Sequence, residues 1–320
     1  METLLLSKED VEAILSMQMA LEVVEHAFKL HGLGKTQMPP KVYLYFDKGD
    51  LRAMPAYLEG HAGVKWVNSH PFNKEKGLPT VMAILIYNDP ETGFPLAVMD
   101  GTFITNMRTG AAGGVAAKYL ARKDSKIVGF IGCGTQARMQ FLALKELFDL
   151  EQAKCYDINE NAAVNFIKFV EKFGVDANVT RVEDACDCDI LVTATPSRKP
   201  VVKSEWIRDG THINAIGADA PGKQEIDGNL LKRAKIVVDD YEQAKHSGEI
   251  NVPLSLGIIT EEDIYASIGE IIVGKKKGRE SEDEITLFDS TGLAIQDIAT
   301  ASKVYEEAVK RGIGKKFRFF

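Results

Sequence analysis

The sequence is poor in the residues that mark a disulfide-stabilised, metal-binding or membrane-spanning protein. Four of its 320 residues are cysteine, and their spacing fits neither a zinc site nor a disulfide framework. No apolar run reaches the roughly 18 residues that a spanning helix needs, and the amino end lacks the basic and then apolar pattern of a signal peptide. We therefore expect reduced, mostly buried cysteines, no metal, no membrane span and a cytoplasmic location.

An excess of positive charge is also missing. The net charge of −7 argues against nucleic-acid binding, which requires a basic face. The hydrophobic content of 45% and the charged content of 27% are ordinary for a globular protein. The length predicts about two domains, each large enough to bury its own core.

The most informative stretch combines a strand, a glycine turn and a helix. An apolar run from Ile127 to Ile131 is followed at once by the glycine turn 132–137 and then by apolar residues at helical spacing. Gly132 permits a tight turn, Gly134 lets the backbone approach a pyrophosphate, and Ala137 allows close packing of helix and strand. The turn therefore predicts a dinucleotide site in which the first helical N–H groups bind phosphate.

The acid at the end of the next strand predicts which dinucleotide is bound. Asp157 can accept hydrogen bonds from an adenine-ribose 2′-hydroxyl and would repel a 2′-phosphate. Ile158 and Asn159 follow it, with no arginine to receive a phosphate. We therefore predict NAD as the cofactor and place all three residues beside it.

The two parts of the chain have different periodicities. Residues 42–99 alternate with a period of two between short turns, which predicts an antiparallel sheet. Further apolar strands alternate with helices up to about residue 294, which is typical of a doubly wound parallel sheet of the Rossmann type. We predict a domain of α+β type over 1–118, completed by about 295–320, and an NAD-binding domain over 119–294. The tail 316–320 should return to the first domain to cover its phenylalanines.

Ligands of parallel sheets bind beyond the carboxyl ends of the strands. This rule selects Thr195, Gly217, Ala218 and Asp219, which follow two of the predicted strands. Asp219 alone would more often be a turn former, because Asp-x-Pro-Gly is loop composition.

Several segments together resemble the ornithine cyclodeaminase/mu-crystallin family, in the order in which the family has them. The segments are Pro39–Val42, Arg52–Pro55, Lys65–Pro71, Leu78–Ala83, Arg108–Ala112, the glycine turn, Gly217–Glu225 and Phe288–Gly292. The resemblance implies a homodimer built through the amino-terminal sheet, with the active site between that domain and the dinucleotide fold. Within the family, the motifs are most similar to those of members that oxidise L-alanine with NAD.

The resemblance also implies roles for individual residues. Lys65 would be the active-site lysine, Asp219 its partner acid, and Lys41 a cation for the substrate carboxylate. Ornithine-converting relatives tend to carry an acid where this chain has Arg52, and the planar guanidinium of Arg52 matches a carboxylate. Further residues are predicted to bind the cofactor: Arg108, Thr109, Thr135, Gln136, Thr195, Lys223 and Ser290, with Gly217 and Ala218 near the nicotinamide.

Oxidising an amino acid requires loss of hydride from Cα, which a neutral amine promotes and an ammonium does not. A base must therefore take a proton first, and burial beside other cations can bring a lysine pKa from ~10.4 towards ~7–8. The leading hypothesis is reversible NAD-dependent oxidative deamination of L-alanine to pyruvate and ammonium. The alternatives are an ornithine cyclodeaminase, a cyclic imino acid (ketimine) reductase, and a mu-crystallin-like binding protein without catalysis.

Overall fold

The computed structural model describes residues 2–320, with the backbone alone at Lys74. The strands are β1 Thr3–Leu6, β2 Thr36–Gln37, β3 Val42–Phe46, β4 Gly49–Leu58, β5 His61–Ser69, β6 Ala83–Asn88, β7 Pro95–Asp100, β8 Ile127–Ile131, β9 Gln152–Tyr156, β10 Asp176–Val179, β11 Ile190–Thr193, β12 His212–Ala215, β13 Ala234–Val238, β14 Ile264–Ser267, β15 Ile285–Asp289 and β16 Lys315–Phe317. The α-helices are α1 Lys8–Ile14, α2 Met17–Gly32, α3 Gly101–Leu120, α4 Thr135–Leu147, α5 Glu160–Val170, α6 Val182–Cys186, α7 Gly228–Leu231, α8 Tyr241–Ser247, α9 Asn251–Ser255, α10 Ile268–Ile272 and α11 Ala294–Arg311. Short 3₁₀ turns occupy Pro71–Lys76, Glu171–Phe173, Ser204–Trp206 and Glu261–Asp263.

The chain separates into two compact units. The first runs to Arg108 and is completed by Leu293–Phe320, and the second is Thr109–Gly292. The boundary between Arg108 and Thr109 lies inside α3, whereas the sequence placed it near the carboxyl end of the same helix. The second unit is continuous in sequence, and the first is made of two separate segments.

The first unit is built on one mixed sheet. Its strand order is β16-β1-β7-β6-β5-β4-β2, with β3 also paired to β4. The strands from β3 to β7 pair in antiparallel fashion as predicted. Strands β1 and β2 were not predicted: β2 pairs antiparallel to β4, and β1 pairs parallel to β7. The tail returns as predicted, because β16 pairs with β1. The reason given for that return was wrong, since Phe319 and Phe320 remain exposed.

The two faces of this sheet differ in what they pack against. On the inner face, Lys65 of β5 lies opposite the buried residues Met54 of β4 and Leu85 of β6. Helix α11 packs against β4, β5 and α2. On the outer face, Trp66 and Ile84 are paired across β5 and β6 and are exposed. Because successive side chains of a strand point to opposite faces of the sheet, Lys65 points towards the core of this unit.

The second unit has one parallel sheet, which confirms the predicted Rossmann type. The strand order is β10-β9-β8-β11-β12-β15-β13-β14, and each neighbouring pair is parallel. Strand β8, which precedes the glycine turn, lies between β9 and β11, where the strand order reverses direction. Ligands of such sheets bind at this reversal, beyond the carboxyl ends of the strands.

The four cysteines are free and buried, as predicted. Within residues 2–320, no helix is long and apolar enough to span a membrane. The same residues contain no group of three or more histidine, cysteine or acidic side chains that could hold a metal ion.

Candidate active site

The predicted residues fall in both units, and the first unit contains the main charged cluster. Lys65 is 1% exposed, although a lysine is rarely buried without a partner. Its Nζ lies 2.6 Å from Oδ2 of Asp297, which α11 contributes. The other carboxylate oxygen accepts a hydrogen bond from Nε of Arg108 on α3, at 2.9 Å. Three buried charges, two positive and one negative, therefore form one cluster.

A glutamine adjacent to Asp297 completes the cluster. Oε1 of Gln296 accepts a hydrogen bond from Nη1 of Arg108 at 3.1 Å. The guanidinium thus has two acceptors on the first turn of α11, and both acceptor residues are fully buried. Arg108 was predicted to bind the cofactor. In the structure its Nε and Nη1 bind α11, and the cofactor role stays a prediction.

The surroundings of Lys65 bring its pKa close to neutrality. Burial lowers the pKa of Lys65 from 10.5 to about 7, because a charged amine loses its hydration. Asp297 opposes this shift, while Arg108 and Lys41 add to it. An amine with this pKa can both accept and donate a proton near pH 7, which is the range useful for acid–base catalysis.

Arg52 lies on the same sheet face as Lys65 and is bound by an acid of its own strand. Its Nε lies 2.6 Å from Oδ1 of Asp50, and its Nη2 lies 3.1 Å from Oδ2. The guanidinium also stacks over the ring of Tyr43, 5.3 Å from its centroid. The Nε–Nη2 edge is therefore occupied, so a substrate carboxylate would have to approach Arg52 from another side. Lys41, just before β3, is half-buried.

In the second unit, the glycine turn has the predicted form. Gly132 has φ +90° and donates its N–H to the carbonyl of Tyr156 at 2.9 Å. A Cβ there would meet the carbonyl oxygen of Ala194 at 2.6 Å, so only glycine fits. Gly134 begins α4 without a side-chain cap, and nothing lies within 4 Å of the place where its Cβ would be. Thr135 and Gln136 form the first turn of α4.

Asp157 follows β9, next to the glycine turn. Its Oδ2 accepts a hydrogen bond from the N–H of Cys133, and its Oδ1 accepts one from the N–H of Asn159, each at 2.8 Å. The carboxylate is thus held in place by backbone donors on two sides. Asn159 caps α5, and Ile158 is 96% exposed, which is extreme for an apolar residue.

The turns after β11 and β12 are tied together by a residue that sequence reasoning missed. Glu225 accepts hydrogen bonds from Oγ1 of Thr193 at 2.8 Å, from the N–H of Thr195 at 2.6 Å and from the N–H of Gly217 at 2.8 Å. A Cβ on Gly217 would lie 2.2 Å from the carbonyl oxygen of Thr195, which explains the glycine. Ala218 follows and is buried.

Asp219 forms its ion pair within its own loop. Oδ1 of Asp219 lies 2.5 Å from Nζ of Lys223, whereas Lys65 pairs with Asp297. The predicted partnership of Lys65 with Asp219 therefore stays a prediction. Ser290, just after β15, is 3% exposed, and its Oγ has no hydrogen-bond partner among the described residues. Thr109 lies in α3, and its carbonyl accepts a hydrogen bond from Gln140 at 2.8 Å.

Three buried acids follow one another through the second unit. The N–H of Glu225 donates to Glu249 at 2.9 Å, and the N–H of Glu249 donates to Asp289 at 2.9 Å. Burial raises the pKa of Glu225 and raises the pKa of Asp289 to about 8. Burial and the neighbouring Glu225 raise the pKa of Glu249 well above its ordinary value. All three acids therefore hold their protons to a higher pH than exposed acids do.

Asp297 could have been found from the sequence. It lies in the run Leu293-Ala294-Ile295-Gln296-Asp297-Ile298, where an acid interrupts apolar residues of a predicted helix. A charged residue on a buried helical face needs a partner of opposite charge. The family segment was taken to end at Gly292, so this signal was not used.

The chain matches the ornithine cyclodeaminase/mu-crystallin family over residues 1–312. It is 64% identical to the alanine dehydrogenase of Archaeoglobus fulgidus over 320 residues, which are 100% of this chain and 99% of the relative. Among solved structures, an archaeal alanine dehydrogenase dimer with bound NAD is similar with a TM-score of 0.99 and 64% identity, covering 100% of both chains.

The chain is also similar to an enzyme that acts on a cyclic substrate. The Delta(1)-pyrroline-2-carboxylate reductase of Thermococcus litoralis, in complex with NADH and L-proline, has a TM-score of 0.95 and 45% identity. The similarity covers 98% of this chain and 99% of the reductase.

Proposed function

The chain belongs to the ornithine cyclodeaminase/mu-crystallin family, and we propose that it catalyses the reversible NAD-dependent oxidative deamination of L-alanine to pyruvate and ammonium. The observation that carries the proposal is the 64% identity with an alanine dehydrogenase over the whole chain. The buried Lys65, with a pKa of about 7, supplies the acid–base group that such a reaction requires.

The residues of the second unit fit NAD. Open space at Gly134 and the uncapped start of α4 suit a pyrophosphate. The carboxylate of Asp157 would accept hydrogen bonds from the adenosine ribose, and the exposed Ile158 would lie against adenine. Ser290 Oγ is a buried polar atom that a bound ligand would satisfy. When bound, NAD supplies the hydride acceptor.

Lys65 would take the proton that must leave the substrate ammonium. In its neutral form it is a base, and the buried ion pair of Arg108 with Asp297 then stays electrically balanced beside it. In the reverse direction the ammonium form of Lys65 would return the proton as the amine forms. Asp219 would hold the substrate amine or orient the water that hydrolyses the imine, and its ion pair with Lys223 would fix its loop.

The substrate carboxylate would be bound by cations on the inner face of the first sheet. Arg52 is already oriented by Asp50 and Tyr43, so little side-chain freedom is lost when it binds an anion. Lys41 would supply the second charge. A small substrate with one carboxylate and no distal ammonium is consistent with this excess of positive charge.

We further propose a homodimer, assembled through the outer face of the first sheet. This face exposes Trp66, Ile84 and Ile86, and it borders an open apolar hollow of about 650 Å³. Contiguous exposed apolar surface of this kind marks interaction sites. The cytoplasmic location expected from the sequence stays part of the same proposal.

A cyclic imino acid reductase is the second candidate, because of the 45% identity with the Thermococcus litoralis enzyme. Both reactions exchange hydride between the cofactor and a carbon bound to nitrogen. They differ in whether that nitrogen comes from free ammonium or is already part of a ring. Ornithine cyclodeamination and ligand binding without catalysis are less well supported, since this chain has Arg52 where ornithine-converting relatives tend to carry an acid and retains Lys65.

One assay separates these functions. The absorbance of NADH is followed with pyruvate plus ammonium, with Delta(1)-pyrroline-2-carboxylate, and with L-ornithine, and each is repeated with NADPH. We expect NADH oxidation that needs both pyruvate and ammonium, with NADPH at least about tenfold less effective because Asp157 repels a 2′-phosphate. Faster turnover of the cyclic imine would assign the reductase instead. Proline formed from ornithine without net change in NADH would assign a cyclodeaminase.

A further inference from the structure

The carboxylate of Asp297 is shared between two cations in an arrangement that leaves it no exposure to solvent. Asp297 is 0% exposed, with Lys65 on one oxygen at 2.6 Å and Arg108 on the other at 2.9 Å. The strand neighbours of Lys65, Met54 and Leu85, offer no side chain that could replace this acceptor. The direction in which the Lys65 amine points therefore depends on Asp297.

We propose that Asp297 is a positioning residue for the reaction: it fixes the place and the proton affinity of the Lys65 amine while itself remaining out of reach of the substrate. This inference rests on the proposed function of Lys65. Asp297 acts through the lysine. Arg108 donates hydrogen bonds to Asp297 and to Gln296, and these two acceptors keep the guanidinium beside the Asp297 carboxylate.

The net charge of the cluster explains why this arrangement suits a lysine that transfers protons. With Lys65 protonated, the buried cluster has two positive charges and one negative charge, so it has a net positive charge. With Lys65 neutral, Arg108 and Asp297 balance each other. Losing the proton therefore relieves repulsion between buried cations, and keeping it preserves an ion pair with Asp297. The two states are close in free energy, as acid–base catalysis requires.

The other charged groups around Lys65 are few among the described residues. Lys41, from the segment before β3, acts in the same direction as Arg108. Arg52 on β4 shares the sheet face but is paired with Asp50. Asp297 is thus the negative charge in direct contact with the amine, and removing it should have a larger effect than any other single neutralisation in this unit.

The test is Asp297→Asn, which keeps the size of the side chain and removes its charge. Lys65 is followed by the ¹³Cε chemical shift in lysine-labelled protein, assigned with Lys65→Met, over pH 3.5–10 without substrate. We expect its titration midpoint to fall by about one to three pH units, the size of effect that an adjacent opposite charge has. In NADH oxidation with pyruvate and ammonium, the alkaline limb of kcat/KM should move down by the same amount.

The matched control is Asp189→Asn in the second unit. Asp189 is also a buried acid that bridges two arginines, Arg122 and Arg208, and its loss should leave the Lys65 midpoint unchanged. A folded Asp297→Asn protein whose Lys65 midpoint stays within about 0.3 units of the wild type would overturn the inference. If Asp297→Asn does not fold, Arg108→Gln tests the same cluster. Removing the neighbouring cation must raise the titration midpoint of Lys65. A midpoint that falls or does not change would also overturn the inference.

The resonance measurement needs no turnover, so the two proposals fail separately. A shifted midpoint in a protein that oxidises no NADH with pyruvate and ammonium would support the role of Asp297 and refute the proposed reaction. An unshifted midpoint in a protein that is active with pyruvate and ammonium would refute the role of Asp297 and support the proposed reaction.

Discussion

One buried cluster in each unit of this protein holds charge in a way opposite to the other. In the first unit, the buried cations Lys65, Arg108 and Arg52 contact carboxylates at hydrogen-bonding distance. In the second unit, Glu225 and Glu249 are buried among backbone N–H and hydroxyl donors and next to other acids. The first cluster sets cations against an opposite charge, whereas the second sets acids against donors and other acids, and its burial raises their pKa values.

This difference determines what each region can do. A buried cluster of opposite charges can contain a group that exchanges its proton near neutral pH, which suits acid–base catalysis. A buried acid that accepts hydrogen bonds from separate backbone turns ties those turns together, which suits the positioning of a ligand. Glu225, which links the turns at Thr195 and Gly217, is an example. The comparison yields three predictions about variants.

The largest effect is expected for Lys65→Met. Turnover of pyruvate and ammonium should fall by at least about 10³-fold, because a general acid–base contributes on the order of 10²–10⁴ in rate. The dissociation constant of NADH, measured by fluorescence titration, should change less than about threefold. The control is Lys235→Met, which removes a lysine that is 10% exposed and ion-paired to Glu284 in the second unit. Normal kcat in Lys65→Met would refute the assignment of chemistry to the first unit.

The second prediction compares two buried acids by urea unfolding at pH 7. Asp297→Asn should lower the free energy of unfolding by about 3 kcal/mol, because it removes the negative charge of a buried ion pair. Glu249→Gln should lower it by less than about 1 kcal/mol, because Glu249 has no cation partner whose charge would be left uncompensated and the amide oxygen can still accept the N–H groups of Glu225 and Ile226. Equal losses in the two variants would remove the distinction between the units.

The third prediction concerns how stability depends on pH. The pKa of Asp289 is raised by burial from 3.8 to about 8, so between these values the folded state binds more protons than the unfolded state. The free energy of unfolding should therefore fall as pH rises from about 4 to 8, by at most about 1.4 kcal/mol per pH unit from this group. Asp289→Asn should flatten this decline, as measured by urea unfolding at pH 5, 6.5 and 8.

Lys65 contributes to the pH dependence of stability with the opposite sign, so it can be compared directly with Asp289. Its pKa is lowered to about 7 from 10.5, so the unfolded state binds more protons between these values. Stability should rise with pH over that range, and Lys65→Met should remove the rise. If both variants changed the pH dependence in the same direction, the contrast between the two units would be wrong.

Much of the fold could be predicted because its signals are local. The strand limits of β3 at Val42 and Phe46, the glycine turn, and the capping of α1 by Ser7 and Asp10 all follow from neighbouring residues. The parallel pairing of β1 with β7 could not be predicted in this way. It joins residues far apart in sequence, and β1 is too short to show a period.

The candidate site was predictable to the extent that its residues carry a recognisable motif or a resemblance. Lys65, Arg52 and Asp157 were selected on those grounds, but their partners were not. The sequence marks Asp297 as a buried acid that needs a cation, but which cation it contacts, and the role of Asp50, become visible only from the sheet register and the position of α11. Glu225 likewise reads as an ordinary loop acid in the sequence, and its role appears only when the turns that it joins are close together.

The return of the chain to the first unit has a consequence for its biogenesis. Lys65 and Arg108 leave the ribosome well before Asp297, and the continuous second unit can fold in the interval, because domains fold as units during synthesis. The carboxylate that both cations contact is translated only after the second unit. A polypeptide released early, at Gly292, would contain the lysine and the arginine without their counterion, and cellular quality control would encounter an incomplete core rather than a partly active enzyme.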